Sequence, residues 1–190
     1  MTHPSQTISW QGHPITLTWI ELTGKADPNS FTPITQAYGI CFNTAGEILV
    51  LDQKGNHTWT LPGGHVEPGE TPEQALTREI MEEADVTVKN IRLLGFQQVD
   101  DSGSGETPYY QARYVATVDQ ILPQTPDPAM GRVHERRFVP AAEINDYIKW
   151  RTIGKAIFSS AINLSKVTFQ PLSRVTAGPS PCVKSLSYKA

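Results

Sequence analysis

Two short stretches near the start of the chain, residues 7–10 and 15–22, alternate apolar and polar positions, and the Gln-Gly-His-Pro between them supplies turn chemistry. That pattern predicts an N-terminal β-hairpin. Residues 25–35 are rich in turn formers. The apolar runs 36–43 and 48–52 then flank Thr44-Ala45-Gly46-Glu47, a second predicted hairpin. Residues 57–61 lead into a glycine pair. Farther on, 91–99 and 109–118 alternate as strands around an acidic loop at 100–107, and 135–139 forms another after a proline-rich connection at 123–131. Two segments switch to helical spacing: 72–84, and 150–166 through Ile153, Ala156, Ile157, Ser160, Ala161 and Leu164. A short helix begins near 140–144. The order β-β-β-α-β-β-β-α predicts an α/β protein with a mixed sheet packed by two helices. Residues 1–30 read as a β-hairpin extension, 31–168 as the main domain, and 169–190, rich in Ser, Pro and Gly, as a flexible tail.

The helix at 72–84 carries its own start signals. Thr71 is a good N-cap, Pro72 suits the first helical position, and Gln74 completes a Thr-x-x-Gln capping box. With roughly 100° between residues, Glu79, Glu82 and Glu83 share an arc of about 100°, while Leu76, Ile80 and Ala84 form a neighbouring apolar stripe. Like charges at i, i+3 and i+4 repel by roughly 0.2–0.5 kcal/mol per pair on an exposed helix. Such a cluster calls for a positive partner, and Mg²⁺ (or Mn²⁺) suits carboxylate oxygens. Arg78 flanks the cluster and can orient a carboxylate through a bidentate contact. Upstream, Gly63 and Gly64 let backbone approach helix and ligand closely.

The chemistry-bearing residues resemble one known pattern. Gly64, five residues, Glu70, seven residues, then Arg78-Glu79-Ile80-Met81-Glu82-Glu83 and Val86, within GHVEPGETPEQALTREIMEEADV over 64–86, resemble the Nudix box. The resemblance implies a Nudix-like α/β/α sandwich around a mixed β-sheet. It implies metal binding by Glu79, Glu82 and Glu83 with help from Glu70, and Mg²⁺ (or Mn²⁺) as cofactor. Glu82 or Glu83 is then the candidate general base, with Arg78 in the catalytic set. The implied reaction is metal-dependent hydrolysis of a diphosphate linkage in a nucleoside diphosphate derivative, water attacking phosphorus. A non-catalytic nucleotide-sensing module on the same scaffold is the alternative, and an enzyme of another reaction type a third. Asp85 stands where the family has glycine. Its charge at a helix C-terminus and its left-handed conformation predict a stability cost, so that Asp85→Gly raises the melting temperature.

Composition narrows the rest. A net charge of −3 with no basic run argues against a long nucleic acid and leaves a small-molecule nucleotide as partner. No signal-peptide pattern or membrane-length apolar run is present, and the two cysteines, Cys41 and Cys182, make no disulfide framework; the expected location is cytoplasmic. Either a monomer or a homodimer is compatible with the chain. For substrate contact the candidates are Gly63, Gly64, Trp59 and Tyr110. Trp59 could stack on a base or pack beneath the loop. Tyr109 and Tyr110 point to opposite faces of their strand, and Tyr110 is the one carried forward. Tyr38 and Phe96 read as core, and Glu135 as the partner of Arg136 or Arg137.

Overall fold

The computed structural model describes residues 3–10, 12–22, 27–101, 104–105 and 107–168. The expected tail, 169–190, lies outside them. The strands are β1 (Ser5–Trp10), β2 (His13–Glu21), β3 (Ile34–Phe42), β4 (Glu47–Asp52), β5 (Trp59–Thr60), β6 (Gly63–His65), β7 (Val86–Asp100), β8 (Tyr109–Ile121) and β9 (Glu135–Pro140). Helix α1 is Pro72–Ala84, α2 is Ile144–Tyr147 and α3 is Arg151–Thr168. The strands join one sheet in the order β1-β2-β7-β8-β3-β4-β5, with β6 beside β3 and β9 beside β4. Only β3 and β8 run parallel among these pairs, so the sheet is mixed. The N-terminal hairpin joins this sheet through β2 and β7, and β2 places Trp19 in the core.

Each face of the sheet buries one helix. On one side Ala75, Leu76, Ile80 and Ala84 of α1 pack against Ala37, Cys41, Leu51, Ala112 and Ala116. On the other, Ile153, Ile157, Phe158 and Ala161 of α3 pack with Trp19, Ile40, Phe42 and Val50. Burying each large aliphatic side chain stabilises the fold by roughly 1.5–3 kcal/mol, which is why the stripe on each helix fixes its side of the sheet. The result is the α/β/α layering the sequence predicts. Cys41 is fully buried in the first layer, and burial pushes its thiol up to about 12.

The α1 boundaries agree with the sequence reading, and the capping box forms in full: Thr71 Oγ1 accepts from the Gln74 backbone at 3.2 Å while Gln74 Oε1 accepts from the Thr71 N–H at 2.8 Å. The second hairpin is tied by Asn43, whose Oδ1 accepts from the Ala45 and Glu47 backbones at 2.9 Å each. Strand β7 departs from expectation. It begins at Val86, directly after the helix, rather than at 91. The cause is a bulge between Lys89 and Arg92, with Asn90 left-handed at φ 53°, which interrupts the alternation without ending the pairing to β8.

Asp85 is left-handed at φ 48°, as a helix C-terminus here requires, but its side chain is not an exposed misfit. It is buried, and its carboxylate accepts from the Thr125 N–H at 2.8 Å and the Thr125 hydroxyl at 2.7 Å. Arg136 reaches the same helix end, donating to the Ala84 carbonyl at 2.5 Å and to the Asp85 carbonyl at 3.2 Å. The expected gain from Asp85→Gly is therefore corrected. Glycine relieves about 1 kcal/mol of backbone strain but removes two hydrogen bonds to a charged acceptor, each worth about 1.5–3 kcal/mol. Asp85→Gly should lower the melting temperature, and Asp85→Asn, which keeps an acceptor and tolerates the left-handed region, should lower it less. A thermal melt in which the glycine variant is the more stable would contradict this account.

Candidate active site

Backbone pressed against backbone positions the site. In β6, Gly63 faces Tyr38 and Gly64 faces Ala37 on β3. Gly63 has φ 138°, and a Cβ there would overlap the Ala37 carbonyl oxygen and lie 2.7 Å from the Tyr38 Cα. A Cβ on Gly64 would lie 2.5 Å from a carboxylate oxygen of Glu79. Glu83, buried at 9% exposure, holds this strand to α1: its Oε2 accepts from the Gly63 N–H at 2.9 Å, and its Oε1 accepts from the Gln53 side-chain amide.

Arg78 is the hub of the remaining carboxylates. Its guanidinium grips Glu70 with two bonds, Nε to Oε1 at 2.8 Å and Nη2 to Oε2 at 3.0 Å. Nη2 also donates to the His65 carbonyl at 3.0 Å, and Nη1 lies 3.1 Å from both Glu79 and Glu82. The sequence-predicted Glu70, Arg78, Glu79, Glu82, Glu83, Gly63 and Gly64 thus converge on one place. The Arg78 hydrogen bonds hold the Glu70 carboxyl below its usual range. Burial raises Glu79, and burial pushes Glu83 up to about 8 despite the Gly63 hydrogen bond. One guanidinium among four carboxylates leaves negative charge uncompensated, and the donors are all hard oxygens. That donor set fits a divalent cation such as Mg²⁺. Asp52, His57 and Glu135 also bring ligand atoms within 4.8 Å of one another. There, however, the Asp52 carboxylate caps a turn, accepting from the Lys54, Asn56 and His57 backbones, and Glu135 pairs with Arg137 at 2.8 Å.

A cleft of about 770 Å³ opens on the α3 face of the sheet, between the β1–β2 hairpin, β3, β7, β8 and the start of α3, and Tyr38 on its wall is the β3 partner of Gly63. Two expected substrate contacts lie elsewhere. Trp59 is buried in the core, with Arg137 over its ring at 4.6 Å and Tyr147 edge-on at 6.0 Å, so packing claims it. Tyr110 packs against Phe31 and Phe96 on the α1 face, and its neighbour Tyr109 lines the cleft instead. Tyr38, expected in the core, lines the cleft as well, with Gln36, Gln97, Gln111, Arg113 and Trp150. Sequence reading misses these polar residues, although a signal exists: Gln111 and Arg113 occupy strand positions whose alternation points to a buried face.

The NUDIX domain family profile matches residues 33–159. An RNA pyrophosphohydrolase of Yersinia enterocolitica is 47% identical over 55 residues, covering 29% of this chain and 31% of that protein. The chain thus matches about a third of the length of the curated relatives. Among solved structures, a mutant of the Bacillus subtilis pyrophosphohydrolase BsRppH has a TM-score of 0.61 at 19% identity, covering 86% of this chain and 98% of that one. MutT, from a study of the Aliivibrio salmonicida and Vibrio cholerae proteins, has a TM-score of 0.50 at 25% identity, covering 69% and 98%. These likenesses concern the fold. Among the described residues no helix is long and apolar enough to cross a membrane.

The packing and the charge each generate a prediction. Gly63→Ala places its Cβ into backbone at a φ hostile to side chains, and should abolish folding. Gly64→Ala meets only a movable carboxylate, and should fold while weakening Mn²⁺ binding through displaced Glu79; circular dichroism with a Mn²⁺ titration separates the two. The second prediction concerns pH. A carboxyl raised on folding keeps its proton in the native state but loses it when unfolded, so the native state binds more protons between its unfolded and folded values. In EDTA, stability should therefore fall as pH rises from about 5 to about 8, and Glu83→Gln should flatten that slope in melts across the range.

Proposed function

The chain belongs to the Nudix hydrolase family, and on that premise we propose that it is a metal-dependent pyrophosphohydrolase acting on a nucleoside diphosphate derivative. The observation that carries the reading is the gathering of Glu70, Glu79 and Glu82 around Arg78, with Glu83 bound to the Gly63 N–H and Tyr38, the β3 partner of Gly63, lining a substrate-sized cleft. Glu79, Glu82 and Glu83, with Glu70 nearby, would hold Mg²⁺ or Mn²⁺, which supplies Lewis-acid polarisation of a phosphoryl oxygen and a lowered pKa for water.

The protein groups divide the remaining work by their exposure and bonding. Glu83 is buried and doubly hydrogen-bonded, which suits a fixed ligand. Glu82 is the most exposed of Glu79, Glu82 and Glu83, with 35% of its side chain accessible, and is the candidate to take a proton from attacking water. Arg78 grips Glu70 bidentately and steadies Glu79 and Glu82, so its role is positioning. The substrate is a small nucleotide lying in the cleft. The name of the Yersinia relative adds an RNA to the compounds for assay, because the family match over residues 33–159 contains the box.

Phosphate release from nucleoside diphosphate and triphosphate derivatives and a 5′-triphosphorylated oligonucleotide, with and without added pyrophosphatase, tests the reading and identifies the bond cut. Turnover should require Mg²⁺ or Mn²⁺ and fall on the order of 10²-fold or more in Glu82→Gln and Glu83→Gln. Undiminished turnover in both folded variants would overturn the assignment.

A further inference from the structure

Arg113 is a buried cation with no acid beside it among the described residues. It is 2% exposed, and no carboxylate lines the cleft it borders. Its guanidinium lies over the Tyr38 ring at 4.4 Å and within 5.5 Å of the Trp150 ring centre. Only Nη2 is engaged, donating to Gln111 Oε1 at 2.7 Å and to Gln97 Oε1 at 3.2 Å. Nε and Nη1 are buried without a hydrogen-bond partner. Burial pulls the group down to about 10, still charged at neutral pH. A buried charge that stability alone does not explain marks a place where a ligand supplies the missing acceptors.

The neighbouring amides define what that ligand must present. Arginine can only donate, so the Gln97 and Gln111 oxygens must face it. The Gln111 amide nitrogen then donates to Gln36 Oε1, and the Gln97 amide nitrogen to Gln111 Oε1 at 3.2 Å. Every glutamine acceptor in this relay is consumed internally. The relay ends at Gln36, whose amide N–H is left to donate, and Arg113 contributes its unpaired Nε and Nη1. This wall therefore offers donors. The Tyr38 and Trp150 rings, with Leu17, Val99 and Ile153, supply flat and apolar lining.

We propose that this wall is a base-selective subsite that reads the acceptor-only edge of a 6-oxopurine, guanine or hypoxanthine. Guanine shows two acceptors, N7 and O6, and no donor on that edge, which suits a wall of donors, whereas adenine shows N7 beside an N6 donor that would oppose the wall's own N–H groups. The apolar and aromatic lining beside Arg113 suits a neutral ring, while Lys149 and Arg151 elsewhere in the cleft make inorganic phosphate the competing ligand. Tyr38 ties the subsite to the glutamates: a Cβ on Gly63 would lie 2.9 Å from its ring, and the Gly63 N–H is bonded to Glu83. The inference rests on the proposed hydrolase reading only for what lies next door; base binding itself is independent of turnover.

The test is direct binding to the full chain in EDTA, by calorimetry and by quenching of tryptophan fluorescence, using GMP, IMP, AMP and inorganic phosphate. GMP and IMP should bind within a few-fold of each other, and AMP about tenfold or more weakly. Arg113→Met should erase the preference while leaving the melting temperature unchanged or raised, an outcome a purely structural arginine would not give. If Arg113→Met does not fold, Gln36→Leu carries the test and must narrow the GMP-to-AMP ratio. Equal affinity for GMP and AMP, displacement of GMP by inorganic phosphate at similar concentration, or no binding of any nucleotide would overturn the proposal. Base-selective binding in a protein that hydrolyses nothing would leave this subsite standing without the enzyme, and turnover indifferent to the base would do the reverse.

Discussion

The site depends on the bond between the Gly63 N–H and the Glu83 carboxylate. It fastens a three-residue strand to the middle of the sheet and to the helix that carries the glutamates. That contact is reached only because positions 63 and 64 carry no side chain: one borders the β3 backbone and the other the Glu79 carboxylate. Burying a carboxylate to make such a clasp disfavours its charge, and the two hydrogen bonds it accepts do not offset the lost hydration, which leaves Glu83 raised to about 8. The clasp therefore holds the loop in place and also keeps the glutamate receptive to further positive charge.

Arg78 shows how the helix tolerates that crowding. Its two-point hold on Glu70 is firm, whereas its Nη1 is divided between Glu79 and Glu82 at equal distance. Splitting one donor between two acceptors weakens each contact, so Glu79 and Glu82 can turn without losing the anchor at Glu70. The arrangement screens like charges in the folded chain while keeping the two most adaptable carboxylates available.

What is legible in the sequence is what is local. The Thr71 cap, the α1 limits, the acidic arc and the glycine pair are set by residues within a short span of one another, and the structure places them together. Asp85 misleads for the complementary reason. Its burden is local, the left-handed turn and the charge at a helix end, but its partners, Thr125 and Arg136, come from 40 and 51 residues away. Tyr109 and Tyr110 exchange places because alternation tells which residues share a face without saying which face meets the cleft. The start of β7 slips because a bulge at Lys89–Arg92 breaks the alternation on which a strand is recognised.

Strand β8 carries this division between local and distant information through one element. Its even positions, Ala112 and Ala116, are small and let α1 lie close against the sheet, so the glutamate helix sits beside the glycine strand. Its odd positions, Gln111 and Arg113, spend the opposite face on polar groups in what would otherwise continue the α3 core. A strand selected for stability alone would place aliphatic residues at both sets. Retaining a desolvated arginine, fixed by glutamines from β7 and from β8 itself and stacked on Tyr38 from β3, sacrifices core stability for a wall of oriented donors. Such a sacrifice is characteristic of binding surfaces, where the missing partner arrives with the ligand. The carboxylate cluster and the Arg113 wall thus lie on opposite faces of the same sheet, linked through Tyr38, so the proposed chemistry and the proposed selectivity share one strand.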